Sequence, residues 1–259
     1  MSSAYTDPQA LITSAYADPT NLASRAAIYA YQNPRIDLVS EVVERARDID
    51  GPILDVGCGP GHYANALRDA VGSRPVVACD LSLGMAAAAG PPTVVGTAAA
   101  LPFPDRAFAG SLALHMLYHV ELPDLALAEL ARVTAGTVLI STNHVEHRRE
   151  MHELHAAATA DVGLTSVDPD GYASRFNLDE AETAAHRHFR HVDRSDLTGA
   201  AAVPSAAPVV AFIASTASWY GDPAAYGPVL NRVAARVNEI IARDGAFRFR
   251  THVGILACR

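Results

Sequence analysis

Cysteine is scarce in this chain: three among 259 residues, at positions 58, 79 and 258. An odd number argues against a disulfide framework. Cys58 and Cys79 fall at the ends of expected strands, where a free thiol packs as a small hydrophobe. That usage suits a reducing compartment. No apolar run approaches the roughly 20 residues that cross a bilayer. The start, Met-Ser-Ser-Ala-Tyr-Thr-Asp-Pro, lacks the basic-then-apolar order of an export signal. A soluble cytoplasmic protein is therefore the expectation. Positive charge is also short: 20 Lys and Arg face 28 Asp and Glu, for a net charge of −8 and no basic block. Nucleic acid and membrane are disfavoured as partners. Histidine is plentiful, as the pairs 144/147 and 152/155 and the cluster His186, His188 and His191. Paired cysteines and compact carboxylate sets are missing beside it, so no metal site is expected.

What is present is apolar bulk, half of the residues. That is enough core for one large α/β domain. Expected strands lie at 52–56, 75–79, 93–95, 107–114 and 137–142. Helices are expected between them, at 64–71, after Ser82 and at 125–133. Alternation at this pace implies a parallel, doubly wound sheet. Ligands of such sheets bind beyond the carboxyl ends of the strands. Asp55, Asp80, Ala98, His115 and Asn143 all stand there and should share one crevice. Around this core, 8–30 and 37–48 read as helices. Beyond it, 144–160 reads as a helix, 189–196 as a strand, 209–218 and 228–242 as helices, and 246–257 as a last, antiparallel strand. The pattern shows no internal repeat.

The most informative run is Ile53-Leu54-Asp55-Val56-Gly57-Cys58-Gly59-Pro60-Gly61-His62. A buried strand ends in a glycine turn that lets backbone approach a ligand, at a helix N-terminus. Glycines at every second position miss the G-x-G-x-x-G spacing of dinucleotide sites. Asp55 would repel a pyrophosphate and suits an ammonium group. A Rossmann oxidoreductase is disfavoured on both grounds.

The run resembles motif I of the class I S-adenosylmethionine-dependent methyltransferases. Cys79-Asp80-Leu81-Ser82-Leu83-Gly84-Met85 resembles their motif II. Gly96 to Phe108 and Pro123 to Val133 resemble the ubiquinone/menaquinone-biosynthesis-like small-molecule branch. Together the likeness covers about 50–142. It departs at Thr97 and Ala109, where that branch usually has Asp. The segment with Tyr16, Asn21-Leu22 and Arg25 resembles the leading part of some actinobacterial small-molecule methyltransferases.

The resemblance implies a mostly parallel, seven-stranded α/β sheet under a helical cap, with S-adenosyl-L-methionine as cofactor. Residues 1–48 would form an N-terminal cap, 49–142 the cofactor half, and 143–259 substrate-cover helices and C-terminal strands. Asp55, Gly57, Gly59 and His115 would line the cofactor. Asp80 would take its ribose, Leu81 and Met85 its adenine, and Thr97, Ala98 and Ala99 the adenine edge. Tyr16 and Arg25 would cover its methionine end. His144 is the favoured base, and Tyr16, His119, His144 and Trp219 are the candidate substrate contacts. The implied reaction moves a methyl group to an O, N or C atom of a small molecule, such as a secondary metabolite. The alternative is a repurposed S-adenosylmethionine-binding protein, a cyclase or binding module. A homodimer stays open.

Overall fold

The computed structural model describes residues 6–16, 20–164, 175–217 and 226–259. Its N-terminal part holds the short helical stretches α1 (Pro8–Ala10) and Leu11–Ala15, then α2 (Thr20–Ala27), Ile28–Tyr31 and the two-residue strand β1 (Gln32–Asn33). Asp37 then caps α3 (Leu38–Ala46), its side chain accepting from the Ser40 N–H at 3.1 Å.

Five parallel strands follow: β2 (Ile53–Val56), β3 (Val76–Asp80), β4 (Thr93–Val95), β5 (Phe108–Leu114) and β6 (Thr134–Asn143). They alternate with α4 (His62–Ala70), α5 (Leu83–Ala89) and α6 (Pro123–Val133). After β6 come α7 (Arg149–Asp161), α8 (Leu178–His188), β7 (Val192–Val203), α9 (Ala206–Ala214), α10 (Gly227–Asp244) and β8 (Phe247–Cys258). The strand order is β1-β7-β8-β6-β5-β2-β3-β4. Strand β8 is antiparallel to both neighbours, β6 and β7. The sheet has eight strands rather than seven, because β1 adds a short edge against β7.

Side chains alternate between the two faces of each strand. Leu54 and Val56 join the core under α6 and α8, whereas Ile53 joins the core under α3 and α4. Helix α8 lies so close to β8 that Leu178 occupies the space a Cβ on Gly254 would fill. A third core gathers α7, α9 and α10 around one end of the β7–β8 pair, with Ile28 inside it. The three cysteines are free and buried. Among the described residues, no helix is long and apolar enough to cross a membrane.

Candidate functional site

The chain reverses direction across the sheet between β2 and its neighbours β3 and β5. A crevice is expected at such a reversal. A cavity of about 780 Å³ opens there. Its lining comes from the turns after the parallel strands, from the N-terminal segment and from β8.

The glycine turn forms the first wall. The Gly57 and Cys58 N–H groups both donate to the Cys79 carbonyl, at 2.7 and 3.1 Å, which ties the turn to β3. Gly57 has φ +67°, and a Cβ there would stand 2.7 Å from the Met116 Cβ. Only glycine fits both demands. The Gly59 N–H donates to Asp80 Oδ2 and the Ser82 N–H to Asp80 Oδ1, each at 2.8 Å. The carboxylate is thus held by two backbone donors at the cavity edge. Burial raises its pKa, and these N–H groups pull the other way. Leu81, Met85, Thr97, Ala98 and Ala99 line the same end.

Asp55 does not line the cavity. It points to the face shared with Ile53, beneath α4, and is 1 % exposed. Burial, then the neighbouring Asp80 charge, push its pKa up to about 7, while the Ala64 N–H lowers it. Its Oδ2 has no hydrogen-bond partner among the described residues. The period of two along β2 puts Asp55 on the face of Ile53, opposite Val56, while Gly57 lies past the strand in the turn, whose backbone at φ +67° reaches the cavity.

The N-terminal segment covers this end. Ser82 Oγ caps α5 and donates to the Tyr16 carbonyl at 2.9 Å. The Tyr16 hydroxyl lies 2.7 Å from His119 Nε2, and the Arg25 guanidinium stands 5.0 Å from the Tyr16 ring centre. Tyr16, Arg25 and His119 all line the cavity.

The other end is built from residues far apart in sequence. His115 follows β5 at φ +53°. Burial, helped by the Arg148 charge, holds its pKa near 4. Asn143 ends β6, and His147 and Arg148 follow it. Tyr29, Gln32, Thr251 and Val253 complete this wall. Gln32 Nε2 donates to Thr251 Oγ1 at 2.6 Å. His147 is held well below the usual imidazole range, by burial first and then by Arg148. Sequence reasoning missed Tyr29, Gln32, His147 and Arg148 as lining residues. The signal available was their proximity to the end of β6, for the last two only.

His144 does not reach the cavity. Its N–H donates to the His252 carbonyl at 3.0 Å, so the β6–β8 pairing continues through it. Alternation then turns its side chain away from that of Asn143. Its ring stacks on His252, with centroids 4.2 Å apart, and its Nε2 lies 3.7 Å from Asp179. Trp219 lies outside the described residues. None of the described residues of 200–244 lines the cavity, since α9 and α10 pack into the third core instead. No group of three or more metal-ligating side chains gathers among the described residues.

Residues 54–140 match the family model for the methyltransferase domain, about a third of the chain. No curated protein matches. Among solved structures, the chain is similar to a protein from Anabaena variabilis described as a candidate methyltransferase of an antibiotic biosynthesis pathway. Identity is 19 %, the TM-score 0.61, and the match covers 85 % of this chain and 97 % of that one. The YcgJ protein of Bacillus subtilis is similar at 17 % identity and TM-score 0.54, over 85 % and 97 % of the two chains. A third likeness is to a Haemonchus contortus phosphoethanolamine N-methyltransferase in complex with phosphomonomethylethanolamine and S-adenosylhomocysteine. Identity there is 15 %, the TM-score 0.57, and the match covers 98 % of this chain and 60 % of that one. These likenesses establish the shared Rossmann-like fold.

Proposed function

We propose that this chain is a cytoplasmic S-adenosylmethionine-dependent methyltransferase, moving a methyl group to an O, N or C atom of a small molecule, such as a secondary metabolite. The observation that carries the reading is the Asp80 carboxylate, fixed by the Gly59 and Ser82 N–H groups at the edge of a large cavity. With two donors already placed, its remaining lone pairs are free to accept from the two hydroxyls of a ribose. The rest of that end fits the cofactor as well. Leu81 and Met85 offer apolar surface to an adenine, and the glycine turn brings backbone close enough to meet the ligand. The match of residues 54–140 to the methyltransferase domain supports the same reading.

Bound there, S-adenosylmethionine supplies a methyl group on a positively charged sulfur, open to in-line displacement. The chain's own part is to place the acceptor and to exclude water. Tyr16 and Arg25, packed over the Asp80 end, close that side. At the other end His115, neutral at pH 7 with its pKa near 4, is a hydrogen-bonding group rather than a strong base.

Calorimetry with S-adenosylmethionine and S-adenosylhomocysteine tests the cofactor. Asp80→Ala should weaken both by about 10- to 100-fold, the loss of a hydrogen bond to a charged group. Unchanged affinity would remove Asp80 from the site. Transfer of a labelled methyl group to a pool of small acceptors separates an enzyme from a protein that only binds the cofactor.

A further inference from the structure

Two polar side chains in the cavity wall lack a hydrogen-bond partner among the described residues. Asn143 ends β6 and is only 4 % exposed, yet its amide makes no such bond. His115 follows β5, and its ring makes none either. Both side chains line the cavity. Their polar neighbours are already committed. Gln32 Nε2 donates to Thr251 Oγ1. The two ring nitrogens of His147 meet the His252 N–H and the Tyr29 hydroxyl. A buried polar group without a partner is costly and uncommon. At a cavity wall, it points to a ligand that completes it.

His115 and Asn143 stand side by side. Strands β5 and β6 are parallel neighbours, about 5 Å apart by ordinary sheet spacing. The His115 N–H donates to the Ser141 carbonyl at 2.8 Å, which carries the pairing one residue past β5. His115 itself sits at φ +53°, where side chains other than glycine are rare. Such outliers cluster at ligand sites. The surround is apolar: Leu114 and Met116 flank His115, Val253 pairs with Asn143, and all three line the cavity.

A neutral imidazole offers one N–H and one bare nitrogen, and an amide offers donors and an acceptor. A hydroxyl answers both, since it donates and accepts through one atom. An ammonium does not fit. Burial and the Arg148 charge hold even the His115 ring neutral, and a second cation would meet the same two penalties. A carboxylate only accepts, so it leaves the bare nitrogen of His115 unanswered and loses its own water among apolar groups.

We infer that this wall takes an acceptor molecule with an apolar body and an uncharged hydroxyl, which donates to the His115 ring and accepts from the Asn143 amide. This rests on the proposed reading, in which the cofactor fills the Asp80 end and the acceptor the other.

The test uses the full chain saturated with S-adenosylhomocysteine and four probes of one shape: 4-ethylphenol, 4-ethylanisole, the 4-ethylbenzoate anion and 4-ethylbenzylamine. Saturation-transfer NMR titrations read their affinities. The phenol should bind about 10- to 100-fold more tightly than each of the others. Asn143→Leu removes both polar atoms at similar size, and His115→Asn keeps a residue that tolerates positive φ. Each should shrink the preference for phenol over anisole, and the pair together should erase it. Asn143→Leu should leave S-adenosylhomocysteine affinity in place. An anisole that matches the phenol, a benzoate or amine that binds more tightly, or a preference that survives both substitutions would overturn the inference. So would a phenol that does not bind at millimolar concentration. Should the variants fail to fold, the wild-type comparison of the four probes decides by itself. Should S-adenosylhomocysteine fail to bind, the cofactor reading falls, and the same comparison on the protein alone still decides whether this wall selects a hydroxyl.

Discussion

The Tyr29 hydroxyl stands 3.0 Å from His147 Nε2, on a ring whose Nδ1 already accepts the His252 N–H at 2.9 Å. A neutral imidazole has one proton, and the His252 contact forces it onto Nε2. His147 therefore donates to the Tyr29 oxygen and is spent as a base. Tyr29→Phe leaves that buried N–H without its acceptor and should destabilise the fold by about 1–3 kcal/mol. Urea unfolding of Tyr29→Phe, His147→Phe and the double variant measures the coupling. A coupling near zero would show that the two side chains do not act together.

Gly57 is the position where the turn has least room. Gly57→Val puts a branched side chain at φ +67° and against the Met116 side chain. Strain and crowding together should cost about 2–5 kcal/mol of stability. Thermal melting should show the loss, and calorimetry should show cofactor binding lost with it. A variant that melts like the wild type would mean that β5 and Met116 yield more easily than their packing implies.

Asp55 gives stability a pH dependence of known sign. Its folded pKa, about 7, lies above the value near 3.8 of a free carboxyl. The folded state thus holds a proton that the unfolded state releases. Stability present in acid is lost as pH climbs from about 4 to about 7, by on the order of 3–4 kcal/mol. Asp55→Asn should flatten that part of the profile. Denaturant midpoints of both proteins at pH 5 and pH 8 give the comparison, and parallel profiles would refute it.

His144 should matter little to turnover. A general base there would cost about 10²–10⁴-fold on removal, but outside the cavity its loss should leave the rate within about threefold. Labelled-methyl assays of His144→Ala across pH are the check, and a large loss would place the acceptor on the other face of β6.

The cofactor half was legible because its parts are contiguous. Strand, glycine turn and helix follow one another from Ile53 to Ala70, and Asp80 ends the next strand. The carboxyl ends of the five strands agree with the sequence reading to within a residue, since apolar runs and glycines act locally, although β6 starts at Thr134, three residues before its expected start. The cavity wall around Asn143 was not legible, because β8 enters the sheet beside β6 from the far end of the chain. That pairing brings Thr251 and Val253 to Asn143 and decides which of His144 and His147 faces inward. No local pattern carries this information. Helix α8 had a visible signal that went unread: Asn177 and Glu180 form a capping box at its start. Strand β7 was expected to begin at Phe189, but α8 runs on to His188, and pairing with β8 carries the strand to Val203.

The bond from Ser82 Oγ to the Tyr16 carbonyl ties the leading segment to the residue after Asp80 and Leu81. Were the segment to move aside for a molecule to enter or leave that end, this tie would have to open first. Loosening it, as Ser82→Ala would, affects both directions of passage alike. The signature then lies in residence time: both association and dissociation quicken, while the equilibrium between them shifts far less.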